Sequence, residues 1–455
     1  MRMEWIEGYQ KGKLKVFNLA AFTEQDRCML LRPETGTVLG IESKLLESLK
    51  DRNISEELAF VMVQRGLASF DKSREISDFC EGIKPEFFLI DLTKKCNLEC
   101  RYCFREFEDD YPEMTMEMTD KICDSLLAYW EKNSGLRLCI QAWGGEPLLC
   151  LPLILHIRER FDEAGRNPEI VMETNATLIT EETAKELFRH RIDLGISIDG
   201  METVHDLQRP FCGGQGSFKK VVQGIQNLRR AGYEGFGTIT VVTKNTIKHL
   251  PEIIDCFADM SLRSVKFNMM RKNSRNMGLA PEPDEFEAYV EKLISCLHGL
   301  YKKQIPFMEQ NVAQRMQNLM YRPNNNICNA YGCHGGYRML SIDSQGKVFP
   351  CELTDYQDYC IGNIEETDYK EMVSRAISEK REYFTAREFG ECRACPWQYY
   401  CRGGCRAAVK YSTGNPAGID ETECAFNKAL YPKLIAILLR SPEFAEYLMT
   451  GVVER

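Results

Sequence analysis

Three cysteines stand close together at Cys96, Cys100 and Cys103, within the stretch LTKKCNLECRYCF. On a helix the two outer sulfurs would be spread over two turns, about 10 Å apart. Polar residues also separate the three cysteines, which does not suit a buried helical stripe, whereas a loop can bring the thiols around one inorganic core. Iron–sulfur clusters are usually held by four thiolates. The spacing therefore predicts a cluster with one iron left open for a further ligand.

A second concentration of cysteines lies in the last third of the chain. CxxC pairs such as Cys392 and Cys395 occur in structural zinc sites and in iron–sulfur sites, and their spacing alone leaves both metals open. Most of the other cysteines sit in apolar runs, where small core side chains are expected. Cys212 and Cys360 receive no assignment. The second group comprises Cys328, Cys333, Cys351, Cys392, Cys395, Cys401, Cys405 and Cys424.

Composition favours a globular protein in a reducing compartment. The chain has 455 residues, 44% of them hydrophobic, and a net charge of −9. This net negative charge argues against nucleic acid as a partner, because a basic surface is needed to bind the phosphate backbone. The first residues lack the apolar core of a signal peptide, and the longest apolar runs fall far short of a membrane span of about 20 residues. We therefore expect a cytoplasmic protein with no membrane or nucleic-acid partner, whose clustered cysteines bind metal rather than form disulfides.

The elements that must position the first cysteine loop form a regular series. Six apolar strands alternate with helical segments, in the order EFFLIDL, RLCIQAW, EIVMET, DLGISIDG, FGTITVV and SVKFNMM. This alternation predicts a parallel sheet, and six strands are too few to close an eight-stranded barrel. The expected fold class is α/β with a partial (β/α)6 barrel. The cysteine loop and the motifs GGEP, TNAT and SIDG all follow strands, where the chemistry of such folds collects.

The segments on either side of the barrel differ from it in pattern. Residues 14–75 predict short strands followed by two amphipathic helices, a small α+β module of the winged-helix kind. Such a module serves either as a structural cap or as a peptide-binding unit. The predicted domains are 1–80 for this module, 86–281 for the barrel, 282–327 for a helical linker, 328–424 for a loop-rich cysteine domain and 425–455 for a helical C-terminal segment.

The motif CNLECRYCF resembles the CxxxCxxC signature of radical S-adenosylmethionine (SAM) enzymes. The resemblance implies that the open iron chelates the amino and carboxylate groups of SAM. One electron from the cluster then splits the sulfonium and releases a 5′-deoxyadenosyl radical, which removes hydrogen from unactivated carbon. An electron donor such as flavodoxin or ferredoxin is implied as a partner.

Four nearby motifs resemble the SAM-binding elements of the same family. GGEP resembles the loop whose glutamate receives the methionyl ammonium, since glycine permits close backbone approach and a carboxylate suits a cation. TNATL and GISIDG resemble two further strand ends, and HDLQRPFCGGQGSF resembles a loop of the peptide-modifying branch whose arginine meets the SAM carboxylate. The SAM contacts that the resemblance implies are Tyr102, Gly144, Gly145, Glu146, Pro147, Asn175, Ser197, Asp199 and Arg209.

The C-terminal cysteines resemble the SPASM domain, an extension of radical SAM enzymes that modify peptides and proteins. The resemblance implies two auxiliary [4Fe–4S] clusters and therefore three clusters in the chain. The resemblance implies a crossed arrangement, in which the first auxiliary cluster takes Cys405 from among the ligands of the second. The first set is Cys328, Cys333, Cys351 and Cys405, and the second set is Cys392, Cys395, Cys401 and Cys424.

Two reactions fit this resemblance. The favoured function is maturation of a ribosomally made, cysteine-containing peptide by a crosslink, with a thioether as the expected bond and residues 1–80 binding the leader of the precursor. The alternative is anaerobic sulfatase maturation, in which a cysteine or serine becomes formylglycine. Glu352, directly after Cys351, is the candidate general base, or else a solvated or cluster-shielding carboxylate. A non-catalytic protein, rich in zinc or transferring electrons, is the hypothesis from another class.

Overall fold

A computed structural model describes residues 1–70, 84–105, 111–321, 333–353, 359–379, 390–401, 403–415 and 418–453. Cys328, an expected cluster ligand, lies outside these described residues, as does Cys80. No helix in the described ranges is long and apolar enough to cross a membrane.

The strands in chain order are β1 Arg2–Ile6, β2 Tyr9–Lys11, β3 Leu14–Val16, β4 Leu19–Glu24, β5 Arg27–Arg32, β6 Thr37–Glu42, β7 Ala68–Ser69, β8 Phe87–Thr93, β9 Cys139–Gly144, β10 Glu169–Thr174, β11 Ile192–Ser197, β12 Gly237–Val242, β13 Ser264–Met269, β14 Met308–Glu309, β15 Met339–Ile342, β16 Lys347–Phe349 and β17 Gly362–Asn363.

The helices are α1 Lys44–Lys50, α2 Glu56–Gln64, α3 Met116–Lys132, α4 Leu151–Glu163, α5 Glu181–Arg189, α6 Glu202–Gln208, α7 Phe218–Ala231, α8 Lys244–Lys248, α9 Leu250–Asp259, α10 Glu285–Lys302, α11 Gln310–Tyr321, α12 Tyr369–Glu379, α13 Gly390–Arg393, α14 Gln398–Cys401, α15 Arg406–Thr413, α16 Glu421–Arg440 and α17 Pro442–Thr450. Two 3₁₀ turns lie at Pro147–Cys150 and Met277–Leu279.

One large sheet carries the barrel, and its strand order is β14-β13-β12-β11-β10-β9-β8-β15-β16-β17. Strands β8 to β13 are parallel neighbours in sequence order, which confirms the six predicted strands and the parallel sheet. Strand β14 extends one side in parallel with β13, and β15 extends the other in parallel with β8. The two outer strands of the order do not pair in the described residues, so the sheet remains an open, partial barrel.

The barrel helices cover the outside of this sheet because each presents one apolar face. In α3, for example, Thr119, Ile122, Cys123 and Leu126 recur at helical spacing and are all buried. These side chains join the strand residues in one hydrophobic core. The polar loops at the carboxyl ends of the strands are left to form the site.

The N-terminal segment folds as two small sheets with two helices. The predicted strands and helices of residues 14–75 are present, and β1, β2 and β7 join them. The segment is fixed to the body, since the Phe22 and Trp397 rings stack 5.1 Å apart and the Tyr400 hydroxyl donates to the Gly36 carbonyl over 2.6 Å. The winged-helix classification of this segment stays a prediction.

The segment predicted as a helical linker contains α10 and α11, with β14 between them. Because β14 pairs with β13, the segment also extends the barrel sheet. The C-terminal helices α16 and α17 then pack against α10 and α11, and Tyr447 of α17 donates to the Ile305 carbonyl over 2.9 Å.

Candidate active site

A cavity of about 900 Å³ opens at the carboxyl ends of the barrel strands and extends into the barrel. Its wall contains nearly all the residues that the sequence singled out for SAM and the first cluster. Of the expected SAM contacts, Pro147 and Asp199 do not line it. Those that do are Tyr102, Gly144, Gly145, Glu146, Asn175, Ser197 and Arg209, together with Cys96, Cys100, Cys103 and Glu352.

The first cysteine loop follows β8 and is held against the loop after α6. The Glu99 amide donates to the Pro210 carbonyl over 2.8 Å, and the Arg101 amide donates to the Gln208 carbonyl over 2.9 Å. The cysteines in the described residues are free thiols. Burial, with smaller contributions from neighbouring thiols and against the charge of Arg209, raises the pKa of Cys96 to about 11 and that of Cys100 to about 12. Three free thiols in one cavity wall fit an iron–sulfur cluster, whose metal charge would hold them as thiolates.

The GGEP loop touches the cysteine loop through its backbone. The Gly145 amide donates to the Thr93 carbonyl over 2.8 Å, and the Glu146 amide donates to the Lys95 carbonyl over 2.9 Å. A Cβ atom added at Gly145 would lie 2.2 Å from the Lys95 carbonyl oxygen. Only glycine therefore permits this approach of the two loops.

Glu146 presents a fixed carboxylate at this contact, and its side chain is only 1% exposed. One carboxylate oxygen accepts from the Thr174 hydroxyl over 2.6 Å, and the other accepts from the Asn175 amide over 2.8 Å. Burial raises the pKa of Glu146, while these donors and the Leu148 amide oppose the shift. A ligand ammonium would complete the set of partners of this buried charge.

Arg209 and Tyr102 are held from behind by Asp199, which is wholly buried. The Asp199 carboxylate accepts from the Tyr102 hydroxyl over 2.6 Å and from Arg209 Nε over 3.1 Å. Arg209 Nη1 then reaches the Cys100 sulfur at 3.8 Å. The sequence placed Asp199 in the pocket, but the structure places it in a layer beneath, where it orients two groups that do line the cavity.

The described C-terminal cysteines fall into two neighbourhoods. Burial and then the nearby Cys405 raise the pKa of Cys333 to about 12. Burial also raises the pKa of Cys351, and the nearby Cys333 and Cys405 add to that rise. In the same way, the nearby Cys424 adds to the raised pKa values of three other thiols, Cys392, Cys395 and Cys401. Cys405 thus lies with Cys333 and Cys351, although its nearest cysteine in sequence is Cys401.

Glu352 follows Cys351 and lines the cavity. One of its carboxylate oxygens, Oε2, is buried without a hydrogen-bond partner. The cavity therefore connects the first cysteine loop with the neighbourhood of Cys333, Cys351 and Cys405. A molecule lying in it would contact the first cysteine loop and Glu352, the residue next to Cys351.

Family comparisons agree with this arrangement. Residues 90–257 match the radical SAM superfamily, and residues 333–396 match SPASM, an iron–sulfur cluster-binding domain. The chain is a radical SAM enzyme with a SPASM domain. SAM and iron–sulfur clusters are the cofactors of these two domains. Of the two metals that the cysteine spacing left open, the comparisons therefore favour iron–sulfur clusters over zinc. The hypothesis of a non-catalytic protein is wrong.

Relatives and solved structures extend the likeness beyond the matched domains. The cysteine-type anaerobic sulfatase-maturating enzyme of Clostridium novyi (strain NT) is 26% identical over 367 residues, which are 76% of this chain and 94% of the relative. The structure of native anSMEcpe with bound AdoMet has a TM-score of 0.68 at 21% identity, covering 78% of this chain and 99% of that one. The structure of Streptococcus suis SuiB bound to precursor peptide SuiA has a TM-score of 0.54 at 14% identity, covering 89% of this chain and 99% of that one. The two structures share the fold of this radical SAM enzyme.

Sequence reasoning missed several charged groups of the cavity wall. Glu173 on β10, Lys266 on β13, and Arg105 and Arg271 in loops all line it. A signal was present for the first two, since each is a charged residue that follows an apolar residue within a strand, and one face of the strand must line the barrel interior. Arg338, the last residue of the sequence GGYR at residues 335–338, also lines the cavity.

Replacing Asp199 with asparagine should weaken SAM binding by this radical SAM enzyme. The change keeps the shape of the side chain but leaves the buried Arg209 guanidinium without its carboxylate partner, which costs about 3 kcal/mol. We expect a lower Tm and a KM for SAM raised about tenfold. Asp193→Asn, at an exposed position on β11, the strand before Asp199, is the matched control. An unchanged KM for SAM in Asp199→Asn would contradict the positioning role.

Proposed function

We propose that this radical SAM enzyme is a peptide maturase, which installs a crosslink that starts at a cysteine of a ribosomally made precursor peptide. The observation that carries the proposal is the continuity of the cavity. It joins the first cysteine loop and the expected SAM contacts to Glu352, beside Cys333, Cys351 and Cys405. A peptide residue in this space would meet a hydrogen-abstracting group on one side and an electron acceptor on the other.

The proposed cofactors are SAM and three [4Fe–4S] clusters. Cys96, Cys100 and Cys103 hold the SAM-binding cluster. Cys328, Cys333, Cys351 and Cys405 hold the first auxiliary cluster, and Cys392, Cys395, Cys401 and Cys424 hold the second. The two neighbourhoods of described thiols support this division. Within the SAM site, Glu146 receives the ammonium of SAM and Arg209 its carboxylate, while Gly144, Asn175 and Ser197 complete the wall.

The proposed reaction joins a substrate sulfur to a substrate carbon. When bound, SAM and its cluster supply a 5′-deoxyadenosyl radical, which takes one hydrogen atom from the carbon. The S–H bond breaks, and its proton goes to Glu352, whose unpartnered carboxylate oxygen lies in the cavity region. The S–C bond then forms, and the one surplus electron passes to an auxiliary cluster. The substrate loses two hydrogens in all, and a flavodoxin or ferredoxin supplies the electron for each SAM cleavage.

A peptide as the substrate is supported by what similar proteins are called. SuiB is named with a precursor peptide, and the Clostridium novyi relative is named for maturing a sulfatase. Both names describe action on a polypeptide. The cavity suits a peptide segment because it is larger than SAM requires and has a mixed polar and apolar wall.

The N-terminal module is proposed to bind the leader of the precursor. Strand β1 is an edge of its sheet, and Met1, Met3 and Trp5 are each more than two-fifths exposed. An open apolar edge accepts a further strand. Removing residues 1–80 is a poor test, because Ala20 and Phe22 belong to the main core. Removing the leader from the peptide tests the same idea, and we expect turnover of the leaderless peptide to fall while SAM cleavage continues.

The mass of the product tests the proposed function. Holoenzyme reconstituted without oxygen would be given SAM, a reductant and the short cysteine-bearing precursor encoded nearest its gene. A loss of two hydrogens with a cysteine that no longer alkylates indicates a thioether. The same loss of two hydrogens with every thiol still open to alkylation indicates a carbon–carbon crosslink. No mass change in the precursor would contradict peptide crosslinking.

Sulfatase maturation is the second candidate, and the Clostridium novyi relative favours it. A cysteine of a sulfatase-type peptide would then become an aldehyde that reacts with hydrazides. That product, together with an unchanged precursor peptide, would establish the second candidate in place of the first.

Replacing Glu352 with glutamine should let SAM cleavage continue while crosslink formation falls. Glutamine fills the same space but does not accept a proton, so crosslinked peptide per 5′-deoxyadenosine should fall by about 10²-fold or more. Glu202→Gln on the barrel exterior, where Glu202 is exposed, is the control. A full yield of crosslink from Glu352→Gln would assign the carboxylate to shielding of the cluster instead.

A further inference from the structure

Two charged side chains inside the barrel have no role in SAM binding or in the proton transfer proposed above. Lys266 of β13 and Glu173 of β10 are half-buried and line the cavity. In the part of the chain that the structure describes, Lys266 makes no ion pair within 4.0 Å and no hydrogen bond. A partly exposed ammonium in a cavity wall without a protein acceptor is available to donate to a ligand in that cavity.

The other cations of the same cavity are already paired. Arg105 makes two hydrogen bonds to Asp91, at 2.9 and 3.0 Å, and Arg209 donates to Asp199. Arg271 lies 3.7 Å from Asp420, and Arg338 is paired with Glu86. Lys266 therefore differs from its neighbours in having a donor group that the protein itself does not use.

The strand register places Lys266 at the level of the SAM contacts. Ser197, Ile239 and Lys266 are aligned on three adjacent strands, β11, β12 and β13. Residues aligned in this way face the same side of a parallel sheet, and all three line the cavity. Two interstrand steps, each about 4.8 Å, separate the lysine from Ser197, so it faces the space beside SAM.

Gly195 directs Glu173 towards the same space. The two residues are aligned between β10 and β11, and a Cβ atom at Gly195 would lie 3.3 Å from Glu173 Cγ and 3.4 Å from Ile239 Cδ1. The aliphatic part of the Glu173 side chain thus packs over Gly195, which has no side chain, on the side of β12 and β13. Burial raises the pKa of Glu173, and the positive charge of Lys266 and a hydrogen bond with Gln141 oppose that shift. The two groups do not reach salt-bridge distance, so a gap with a donor on one wall and an acceptor on the other remains between them.

We propose that Lys266 and Glu173 form a substrate subsite that holds one main-chain amide of the peptide next to the residue being modified. A trans peptide unit presents its carbonyl oxygen and its N–H on opposite sides. Lys266 donates to the oxygen, and Glu173 accepts from the N–H. The amide is neutral, so it satisfies both charged groups without adding a charge to the barrel interior. The subsite rests on the proposed function. Because it contacts only main-chain atoms, it would set how far the peptide enters the cavity and would not recognise particular side chains.

Lys266→Met tests the subsite, because methionine keeps an unbranched side chain but removes the donor. The probe is the cysteine-bearing precursor peptide, labelled with a fluorophore at its N-terminus, and the measured quantities are its Kd and KM with holoenzyme and the KM for SAM. We expect the peptide constants to rise about tenfold, the effect of one hydrogen bond to a charged group, and the KM for SAM to stay unchanged. Glu173→Met, which removes the acceptor and keeps an unbranched side chain, should raise the same two peptide constants.

Three controls make the result specific. Lys266→Arg retains a donor and should recover most of the peptide affinity, Lys248→Met removes an exposed lysine and should change nothing, and iron content and Tm report whether each variant folds. Unchanged peptide constants in Lys266→Met would overturn the proposal, as would a rise in the KM for SAM in place of the KM for peptide. If wild type binds the peptide without changing its mass, the crosslinking function fails, and the Kd comparison still decides the subsite.

Discussion

Replacing Cys100 with alanine should abolish SAM cleavage while the auxiliary clusters remain. Two thiolates do not retain a cluster that already has one iron open to SAM. With the three clusters proposed above, iron should therefore fall from about twelve to about eight atoms per chain. The two neighbourhoods of C-terminal thiols lie in a separate domain and do not depend on Cys100. The measurements are 5′-deoxyadenosine by chromatography, iron and sulfide content, and the electron paramagnetic resonance spectrum with and without SAM.

Cys256→Ala is the matched control for this change. Cys256 lies on α9, where its thiol contacts the Met260 sulfur at 3.9 Å, away from the three clustered thiols. Its removal should leave iron content and SAM cleavage at the wild-type level. Continued release of 5′-deoxyadenosine by Cys100→Ala, or an unchanged iron content, would refute the assignment of Cys96, Cys100 and Cys103 as ligands of the SAM cluster.

The six barrel strands were predictable because each is a short apolar run that ends in a recognisable polar motif. Strands β14, β16 and β17 were not, since two or three residues carry too little periodicity to identify a strand. Strand β15 was missed for another reason. It pairs with β8 across most of the length of the chain, and no local pattern announces such a long-range contact.

The candidate site was predictable where its residues belong to motifs. The exception, Asp199, shows why a pattern can mislead. Ser197 and Asp199 are two apart, so strand alternation would place both in the pocket. Strand β11 ends at Ser197, however, so Asp199 lies beyond the strand and its alternation does not fix the direction of this side chain. The Asp199 carboxylate contacts Tyr102 and Arg209 and does not line the cavity.

The subsite of Lys266 and Glu173 required the structure for a related reason. Each residue is visible in the sequence as a charge within a strand, but their strands are separated by α5, β11, α6, α7, β12, α8 and α9. Only the register of the intervening strands shows that both face one space. The grouping of Cys405 with Cys333 and Cys351 is similar, because sequence spacing would assign it to Cys401.

Gly145→Ala should impair SAM binding as severely as the loss of a direct contact. The added methyl would stand 2.2 Å from the Lys95 carbonyl oxygen and 2.6 Å from its carbonyl carbon. Both atoms are backbone, so the GGEP loop and the cysteine loop must move apart. Overpacking of this kind costs about 1–3 kcal/mol, and the movement would carry Glu146 with it, because the Glu146 amide donates to the same Lys95 oxygen.

We expect the KM for SAM of Gly145→Ala to rise about tenfold or more, with iron content close to that of wild type because all three thiols remain. Gly278→Ala is the control, since nothing lies within 4 Å of a Cβ atom at that position. A wild-type KM for SAM in Gly145→Ala would mean that the two loops need not touch. The carboxylate of Glu146 would then have to reach SAM without the backbone contact that now fixes its position.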